Sequence, residues 1–560
     1  MHADDIITYL HTQEANYNPD LHLLGETWNG PGYHSRIPNG AWVHPMRTAL
    51  DYALTLLRSG EASYHRRAAD VITKVLTFQD RDPVNPTYGI WPWLAEETLA
   101  EMSPPDWNWA DFCGIRLALL LADHGDQLSP ELVGAIRHSL GHAAWSIFRR
   151  NIRPGYTNIA IMGAGVAAAV GELLDEPRLT DYGRRRLRRV VEHTALHGGF
   201  NEYNSPTYTV VVLHECEHIL HLVADAECRA AAETLRRLAW ETIADHFHPG
   251  TGQWAGPHSR TYTDRIPANL CRYLSEQTGV TIQPHPAAPA RGAELPEPYH
   301  LPCPPDLAPR FQALPAEEMT MERRFLAGQD EERSVTGVTW LNVDACLGSV
   351  NHDCLWTQRR PLVGYWRTAD DPATVLRLRF LKDGADFASV YVRNRQEGSR
   401  ILSAMSLLTD RGDYHLSLDR PVDGLFHAAD LRLRYELTGV GATAESVRPH
   451  VYALRAGDYQ TVIHTAAGRF GSQDIDWQLG SEAGRVFLNA LCYSGPRQSF
   501  NLAEVGDFIL AAGLELLPVD QPITPAPVTV EPSTAGSIVV HWAGVSQPVA
   551  APLRAHAYPL

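Results

Sequence analysis

Val375-Leu376-Arg377-Leu378-Arg379-Phe380 alternates apolar side chains with arginine, the period-two signature of a strand that turns one face to a core. Residues 431–435 repeat the pattern. Residues 389–393, Tyr459–Thr465, 485–491 and 537–542 are also rich in β-branched and aromatic residues. Glycine and aspartate turns separate these runs, so antiparallel pairing is expected, and residues 311–560 are predicted to form a large antiparallel β-sandwich.

Upstream the period is different. Ser129-Pro130-Glu131 reads as a cap, a first-turn proline and an acid, followed by Leu132, Ile136, Leu140 and Ala144 at helical spacing. Pro154-Gly155 closes that helix, and a small-residue helix is expected over 156–174. Thr180 is the expected cap of an arginine-rich helix that stops at Gly198-Gly199. Further helices are predicted over 43–59, 61–79, 107–123, 206–224 and 226–246. Near ten helices with short links suggest an N-terminal α/α toroid, complete or incomplete, over residues 1–280. Between the two regimes lies a Pro- and Ala-rich stretch that includes His285-Pro286-Ala287-Ala288-Pro289 and Cys303-Pro304-Pro305. Residues 281–310 are therefore expected to be a linker.

A chain of 560 residues exceeds one core and implies several domains. Its formal charge of −17 excludes a nucleic-acid binder that works through a basic stripe, and any anionic substrate must meet a locally basic site. Lys74 and Lys382 are the only lysines; the other cations are arginines, which suit carboxylate recognition. Met1-His2-Ala3-Asp4-Asp5 lacks a secretory pattern and no apolar run reaches membrane-spanning length, so a cytoplasmic location without membrane contact is expected. Eight scattered cysteines fit reduced thiols.

Three polar clusters interrupt the helical half. They are Tyr156-Thr157-Asn158, Gly198-Gly199-Phe200-Asn201-Glu202-Tyr203-Asn204-Ser205-Pro206-Thr207-Tyr208, and Gln253-Trp254-Ala255-Gly256-Pro257-His258-Ser259-Arg260-Thr261-Tyr262. In a toroid, alternate helix junctions converge on one end, so the three clusters are expected to line one cleft. Asn, Tyr, His and Arg together suit β-elimination from a uronic acid. The C5 proton is weakly acidic until the adjacent carboxylate is neutralised, and an Asn amide or a protonated His at that carboxylate stabilises the enolate-like intermediate. A tyrosine brought down by a neighbouring arginine takes the C5 proton or protonates the leaving oxygen. No cofactor is required.

The chain resembles the polysaccharide lyases built from an α/α toroid and an antiparallel β-sandwich, the group of chondroitin AC, hyaluronate and heparinase II/III-like proteins. Chondroitin AC-type lyases carry an early Asn, a Gly-Ser-Phe-x-Gln-His turn with a Tyr five residues later, and then an Arg. Asn158, the turn from Gly198 to Tyr203, Tyr208 and Arg260 match in order, with Tyr203 where the family has His. The resemblance implies an acidic polysaccharide or oligosaccharide substrate. It makes Asn158 the carboxylate neutraliser, Tyr208 the acid/base and Arg260 the residue that tunes it, with His258 or Tyr203 assisting. Glu202, Asn204, Trp107, Trp109, Tyr262 and His352 are the expected substrate contacts. Asn351-His352-Asp353 opens the sandwich, and the likeness to heparinase II-like proteins leaves a structural metal in the β-domain open.

Plainer roles stand beside these. Asn158 is placed to cap a helix, Tyr208 to pack in a core, and Arg260 or His258 to pair with Asp264. Trp107 and Trp109 suit either sugar stacking or helix packing. His214-Glu215-Cys216-Glu217-His218 fits the His-Glu-x-x-His zinc pattern, yet no Gly-and-His extension follows, and decoration of a toroid helix is the better reading. Two rivals remain. One is an inverting glycoside hydrolase using Glu202 with Asp106 or Asp111, and the other is a glycan-binding protein without catalysis.

Overall fold

The computed structural model describes residues 3–289, 299–410, 424–533 and 536–559. Among them are ten α-helices: α1 Ala3–Gln13, α2 Met46–Arg58, α3 Ala62–Leu76, α4 Trp109–His124, α5 Pro130–Arg150, α6 Thr157–Leu173, α7 Pro177–His197, α8 Tyr208–Leu222, α9 Ala226–His246 and α10 Ala268–Thr278. Antiparallel strands follow from Glu318 onward. The order expected from the change of period, a helical array and then an antiparallel sandwich, is the order present.

The chain divides into two compact units that do not follow chain order. The first holds Met1–Ala195, Val210–Ala239 and Glu294–Leu301; the second holds Leu196–Thr209, Trp240–Ala293 and Pro302–Leu560. A boundary near residue 280 therefore does not separate them. The polar turn before Tyr208 and the stretch from Trp240 onward count with the β-strands.

In the first unit, short links join α2 to α3 and α4 to α5, and the inner faces share a core that includes Leu50, Ile72, Trp91, Leu117, Ile136 and Val166. The start of α5 is as its sequence implies. The Ser129 hydroxyl accepts the Leu132 amide at 3.3 Å, and Asn151 ends the helix in the left-handed region at φ 44°. Helix α6 is buried without interruption from Thr157 to Gly171, which explains its small residues. A Cβ on Gly165 would stand 2.7 Å from Ile219, so glycine lets α8 approach closely. Helix α7 starts at Pro177 rather than at Thr180. Proline already supplies a helical φ at the first turn, and Thr180 lies inside the helix.

In the second unit two antiparallel sheets face one core. One runs in the order 318–326, 335–342, 345–350, 362–366, 374–382, 425–438, 485–501 and 473–482. The other runs 352–354, 390–397, 400–407, 508–518, 459–465, 451–456 and 443–448. Leu347, Leu378, Phe380 and Leu488 from the first meet Val392, Met405, Leu454 and Leu514 from the second. The arginines of the opening hexapeptide are not on a wet face. Arg377 pairs with Asp264 and Asp386, and Arg379 with Asp386, so polar partners cover the outer side of that strand.

The expected linker is packed where it is described. His285 is buried against Asp371 at 2.8 Å, and Cys303, Leu307 and Phe311 are buried, with the Cys303 amide donating to the Gln277 carbonyl. Residues 290–298 lie outside the described residues. All eight cysteines are buried and unbridged. No described helix is long and apolar enough to cross a membrane.

Candidate functional site

The turn that precedes α8 is built by local chemistry. Gly198 sits at φ 86°, and a Cβ there would approach the Arg324 carbonyl to 2.7 Å, so both conformation and space demand glycine. Ser205 and Pro206 lead into α8, and the Ser205 hydroxyl accepts the amide of Tyr208, the first residue of that helix, at 2.9 Å. The same hydroxyl donates to the Arg260 carbonyl at 2.6 Å. One serine thus ties the start of the helix that carries Tyr208 to the segment that carries Arg260.

That segment is pinned on its other side by the β-half. His258 and Arg360 exchange backbone hydrogen bonds, and the Thr261 amide donates to the Gln358 carbonyl at 2.8 Å. Trp356 and Gln358 are thereby brought to Arg260.

The result is a cluster of side chains around one guanidinium. Arg260 Nη2 donates to the Tyr208 hydroxyl at 3.1 Å, to the Gln358 amide oxygen at 2.8 Å and to the Tyr262 hydroxyl at 3.5 Å. The Tyr208 and Tyr262 hydroxyls are 2.6 Å apart. The guanidinium carbon stands 4.9 Å from the ring centres of both Tyr208 and Trp356, held between two aromatic faces. Arg260 makes no ion pair among the described residues, and its Nε is buried without a partner. Tyr262 is 40% exposed, so the cluster reaches solvent.

Electrostatics differ from the expectation that Arg260 would bring Tyr208 down. Burial pushes the Tyr208 hydroxyl well above the ordinary tyrosine range; Arg260 opposes this, while Tyr262 and Glu202 add to it. Desolvation wins, so at neutral pH Tyr208 is a phenol. Burial also works against the charged form of Arg260, but Tyr208, Glu202 and Tyr262 outweigh it and hold the guanidinium positive. Glu202 is buried, and both Tyr208 and Arg260 feel its charge.

Other predicted residues are in the same unit but closed. Asn204, left-handed at φ 49° and fully buried, donates to the carbonyls of Ala255 and Pro257 and accepts from the Trp254 indole. It fastens two loops together and does not face a substrate. His258 Nδ1 donates to the Asn204 carbonyl at 2.6 Å, and burial brings its pKa down to about 3, so a protonated His258 is not available at neutral pH. Tyr203 is stacked on Phe325 and donates to His246 Nε2, because His246 Nδ1 already donates to the Thr242 carbonyl. His352 is held between the Tyr391 hydroxyl and the Ser334 carbonyl, with burial bringing it down to about 4. These four carry the architecture of the loops. Asp264, the alternative partner proposed for Arg260 or His258, pairs with Arg360 at 2.6 Å and with Arg377 at 3.4 Å.

The remaining candidates belong to the first unit. Asn158 is 2% exposed in the first turn of α6, closed off from a ligand, and the carboxylate-neutralising role does not suit it. Trp109 stacks on Trp93 at 5.0 Å, Trp93 donates to Asp106, and Trp107 donates to the Pro86 carbonyl, so these rings are packed among helices and loops. Asp111 is buried, and desolvation brings its carboxyl up to about 7 against the pull of Arg150.

In the His-Glu-x-x-His stretch the residues point to one another and to the segment at 299–301. His218 Nδ1 is 3.3 Å from Glu215, and the His214 ring lies 4.6 Å from that of His300. The second acid, Glu217, is buried and pairs with Arg236 at 3.0 Å and His300 at 2.8 Å. Among the described residues no three His, Cys, Asp or Glu side chains are grouped to hold a metal ion. Two contributors escaped the sequence reading. Gln358 has no local signature at all, whereas Ser205-Pro206 repeats the Ser-Pro form already used to place the start of α5.

Residues 17–275 match a domain of unknown function (DUF8769). No curated protein matches the chain. Among solved structures, the chain is similar to heparinase III, with 11% identity over 91% of this chain and 82% of that one and a TM-score of 0.39. It is similar also to a mutant of the heparan sulfate lyase HepC from Pedobacter heparinus, with 10% identity over 91% and 82% and a TM-score of 0.35. These likenesses are remote, and the chemistry below rests on the geometry of the cluster.

Proposed function

We propose that the protein is a lyase that cleaves a uronate-containing polysaccharide or oligosaccharide by β-elimination. The observation that carries this reading is Arg260, a guanidinium without an ion-pair partner among the described residues, set against two tyrosine hydroxyls 2.6 Å apart. A partly buried cation of this kind favours an anionic ligand, since its charge has lost water and, beyond the more distant influence of Glu202, no carboxylate pairs with it among the described residues. Placed at the carboxylate of a uronic acid, Arg260 stabilises the negative charge that develops when C5 loses its proton.

The tyrosine pair is the proton-handling unit. In its active form the pair has lost one proton, and the remaining charge is shared across the short hydroxyl contact and faced by Arg260. The phenolate oxygen takes the C5 proton, the C5 electron pair forms the C4–C5 double bond, and the C4–oxygen bond breaks. The leaving oxygen then receives a proton from the same pair, which restores it. Because burial raises Tyr208, the active form grows as pH rises, and activity is expected to climb through the alkaline range. Trp356 and Gln358 hold the guanidinium in place, and Glu202 helps to keep it charged. This chemistry needs no bound cofactor.

The hydrolase reading gains little from Asp111, because the burial that brings its carboxyl up to about 7 also closes it off from a substrate. A panel of acidic polysaccharides and oligosaccharides separates the readings. A lyase gives products with the ultraviolet absorbance of a double bond conjugated to a carboxylate. New reducing ends without that absorbance on every cleaved substrate would establish the hydrolase.

A further inference from the structure

Residues 203–205 are joined to the segment at 255–260 by three successive sets of bonds. The Tyr203 carbonyl accepts the Ser259 amide at 3.1 Å and the Ser259 hydroxyl at 2.8 Å. The Asn204 carbonyl accepts His258 Nδ1, and the Asn204 side chain donates to the carbonyls of Ala255 and Pro257. Ser205 is fully buried and makes the third set: its hydroxyl donates to the Arg260 carbonyl at 2.6 Å and accepts the Tyr208 amide at 2.9 Å. The first two sets fasten loop to loop and involve neither Tyr208 nor Arg260. The third bridges the main chains of those two residues through one oxygen.

The other supports of Arg260 do not replace this bridge. His258 with Arg360, and Thr261 with Gln358, hold its main chain, while Trp356 and Gln358 hold its guanidinium. All of them act from residues 356–360, and none bonds to the main chain of Tyr208. Tyr208 opens α8, so its amide meets no carbonyl of the helix, and Ser205 supplies the acceptor. Among the described residues the Arg260 carbonyl accepts from Ser205 alone.

We propose that Ser205 is a positioning residue, whose two main-chain bonds set the 3.1 Å contact between the Tyr208 hydroxyl and Arg260 Nη2. Its effect on rate rests on the lyase reading above. Burial raises the Tyr208 hydroxyl and Arg260 works against that rise, an influence that weakens as the two groups move apart. A longer contact leaves less of the tyrosine pair in its active form at a given pH, while the guanidinium still meets the substrate carboxylate. The loss therefore falls on kcat and spares KM.

Two variants of the full chain test the proposal, by crystal structure and by steady-state kinetics on a uronate oligosaccharide that the unsubstituted protein cleaves. Ser205→Ala removes both bonds of the bridge. Ser259→Ala is the control: it deletes the hydroxyl bond to the Tyr203 carbonyl, keeps the amide bond, and leaves the bonds of Tyr208 and Arg260 intact. In Ser205→Ala the contact between Tyr208 and Arg260 is expected to lengthen beyond about 3.5 Å, outside hydrogen-bond reach. Its kcat should fall about tenfold, with KM changed by less than about twofold. In Ser259→Ala the contact and both constants should stay as they are. Ser205→Gly deletes the same hydroxyl and serves where Ser205→Ala does not fold; failure of both to fold makes Ser205 a structural residue and overturns the proposal. An unaltered contact in folded Ser205→Ala overturns it too, as does an equal fall of kcat in Ser259→Ala. If the unsubstituted protein releases no unsaturated product, the lyase reading fails by itself, and the crystallographic contact still decides the role of Ser205.

Discussion

Two sets of polar residues in the second unit come from the same short stretches and differ in one respect. Tyr208, Arg260 and Tyr262 bond to one another, reach solvent, and include a charge without an ion-pair partner. Tyr203, Asn204 and His258, a few positions away in sequence, bond inward to His246 or to backbone carbonyls and are buried. Composition does not separate the sets, since each has a tyrosine and a basic residue. Their partners do. A side chain whose donors end on main-chain carbonyls is fastening loops, whereas one whose donors end on other side chains at an open edge can exchange those bonds for a ligand.

The sharpest break between the sets is expected from Tyr208→Phe. The ring stays 4.9 Å from the Arg260 guanidinium, so packing survives and only the hydroxyl goes. Release of unsaturated product should fall about a thousandfold, equivalent to about 4 kcal/mol of barrier, with unfolding free energy changed by less than about 1 kcal/mol. A variant that retains more than a tenth of wild-type turnover would remove Tyr208 from the chemistry.

Asn204→Ala should give the mirror image. It deletes two donated bonds and one accepted bond within the interior and puts a Cβ-bearing residue without a local hydrogen bond at positive φ. Unsatisfied carbonyls of Ala255 and Pro257 and the strained backbone together cost about 3 kcal/mol, read as a shift of the urea midpoint. Activity per folded molecule is expected to fall much less than in Tyr208→Phe. Near-wild-type stability would mean that Asn204 does not fasten the loops.

Acid titration tests the closed set from another side. Burial brings His258 to about 3, and His246, His248 and His352 to about 4. The unfolded chain protonates these rings below about pH 6.5 while the folded chain does not. Stability is therefore full above that value and is lost as the pH falls toward the folded values, by up to about 1.4 kcal/mol per pH unit for each ring. Asp111, raised to about 7, works in the opposite sense over the same window. His258→Gln keeps a donor for the Asn204 carbonyl and removes one titrating ring. It should make the decline below pH 6.5 shallower by about one proton, and an unchanged slope would show that His258 already titrates normally when folded.

Much of the fold was legible because it is written in local periods. Ser129-Pro130 marks the start of α5, and the predicted strand at 459–465 has the bounds found. Thr180 misled because a proline three residues earlier had already begun the helix. The candidate site was legible as residue types and only partly as geometry. Tyr208, Arg260 and Tyr262 meet, yet nothing local reveals that Gln358, 98 positions from Arg260, completes their bonds. Asn158 and Tyr203 fit a motif's order, but their burial depends on what packs over them, which no short window contains.

The smallest effect is expected at Tyr262. Its hydroxyl is the exposed partner in the tyrosine pair, 2.6 Å from Tyr208 and 3.5 Å from Arg260. Tyr262→Phe leaves Tyr208 with its bond from Arg260 and removes the neighbour that shares the phenolate charge. Removal also takes away one of the influences that raise Tyr208, so two consequences oppose each other. The lost hydroxyl can no longer pass a proton to the leaving oxygen, while the easier ionisation of Tyr208 moves the alkaline limb to lower pH. A net fall in kcat/KM of about fivefold, roughly 1 kcal/mol, is expected together with that displacement of the pH profile. A fall in rate with the profile unmoved would mean that Tyr262 only contacts substrate, and the shared-proton account of the pair would then be wrong.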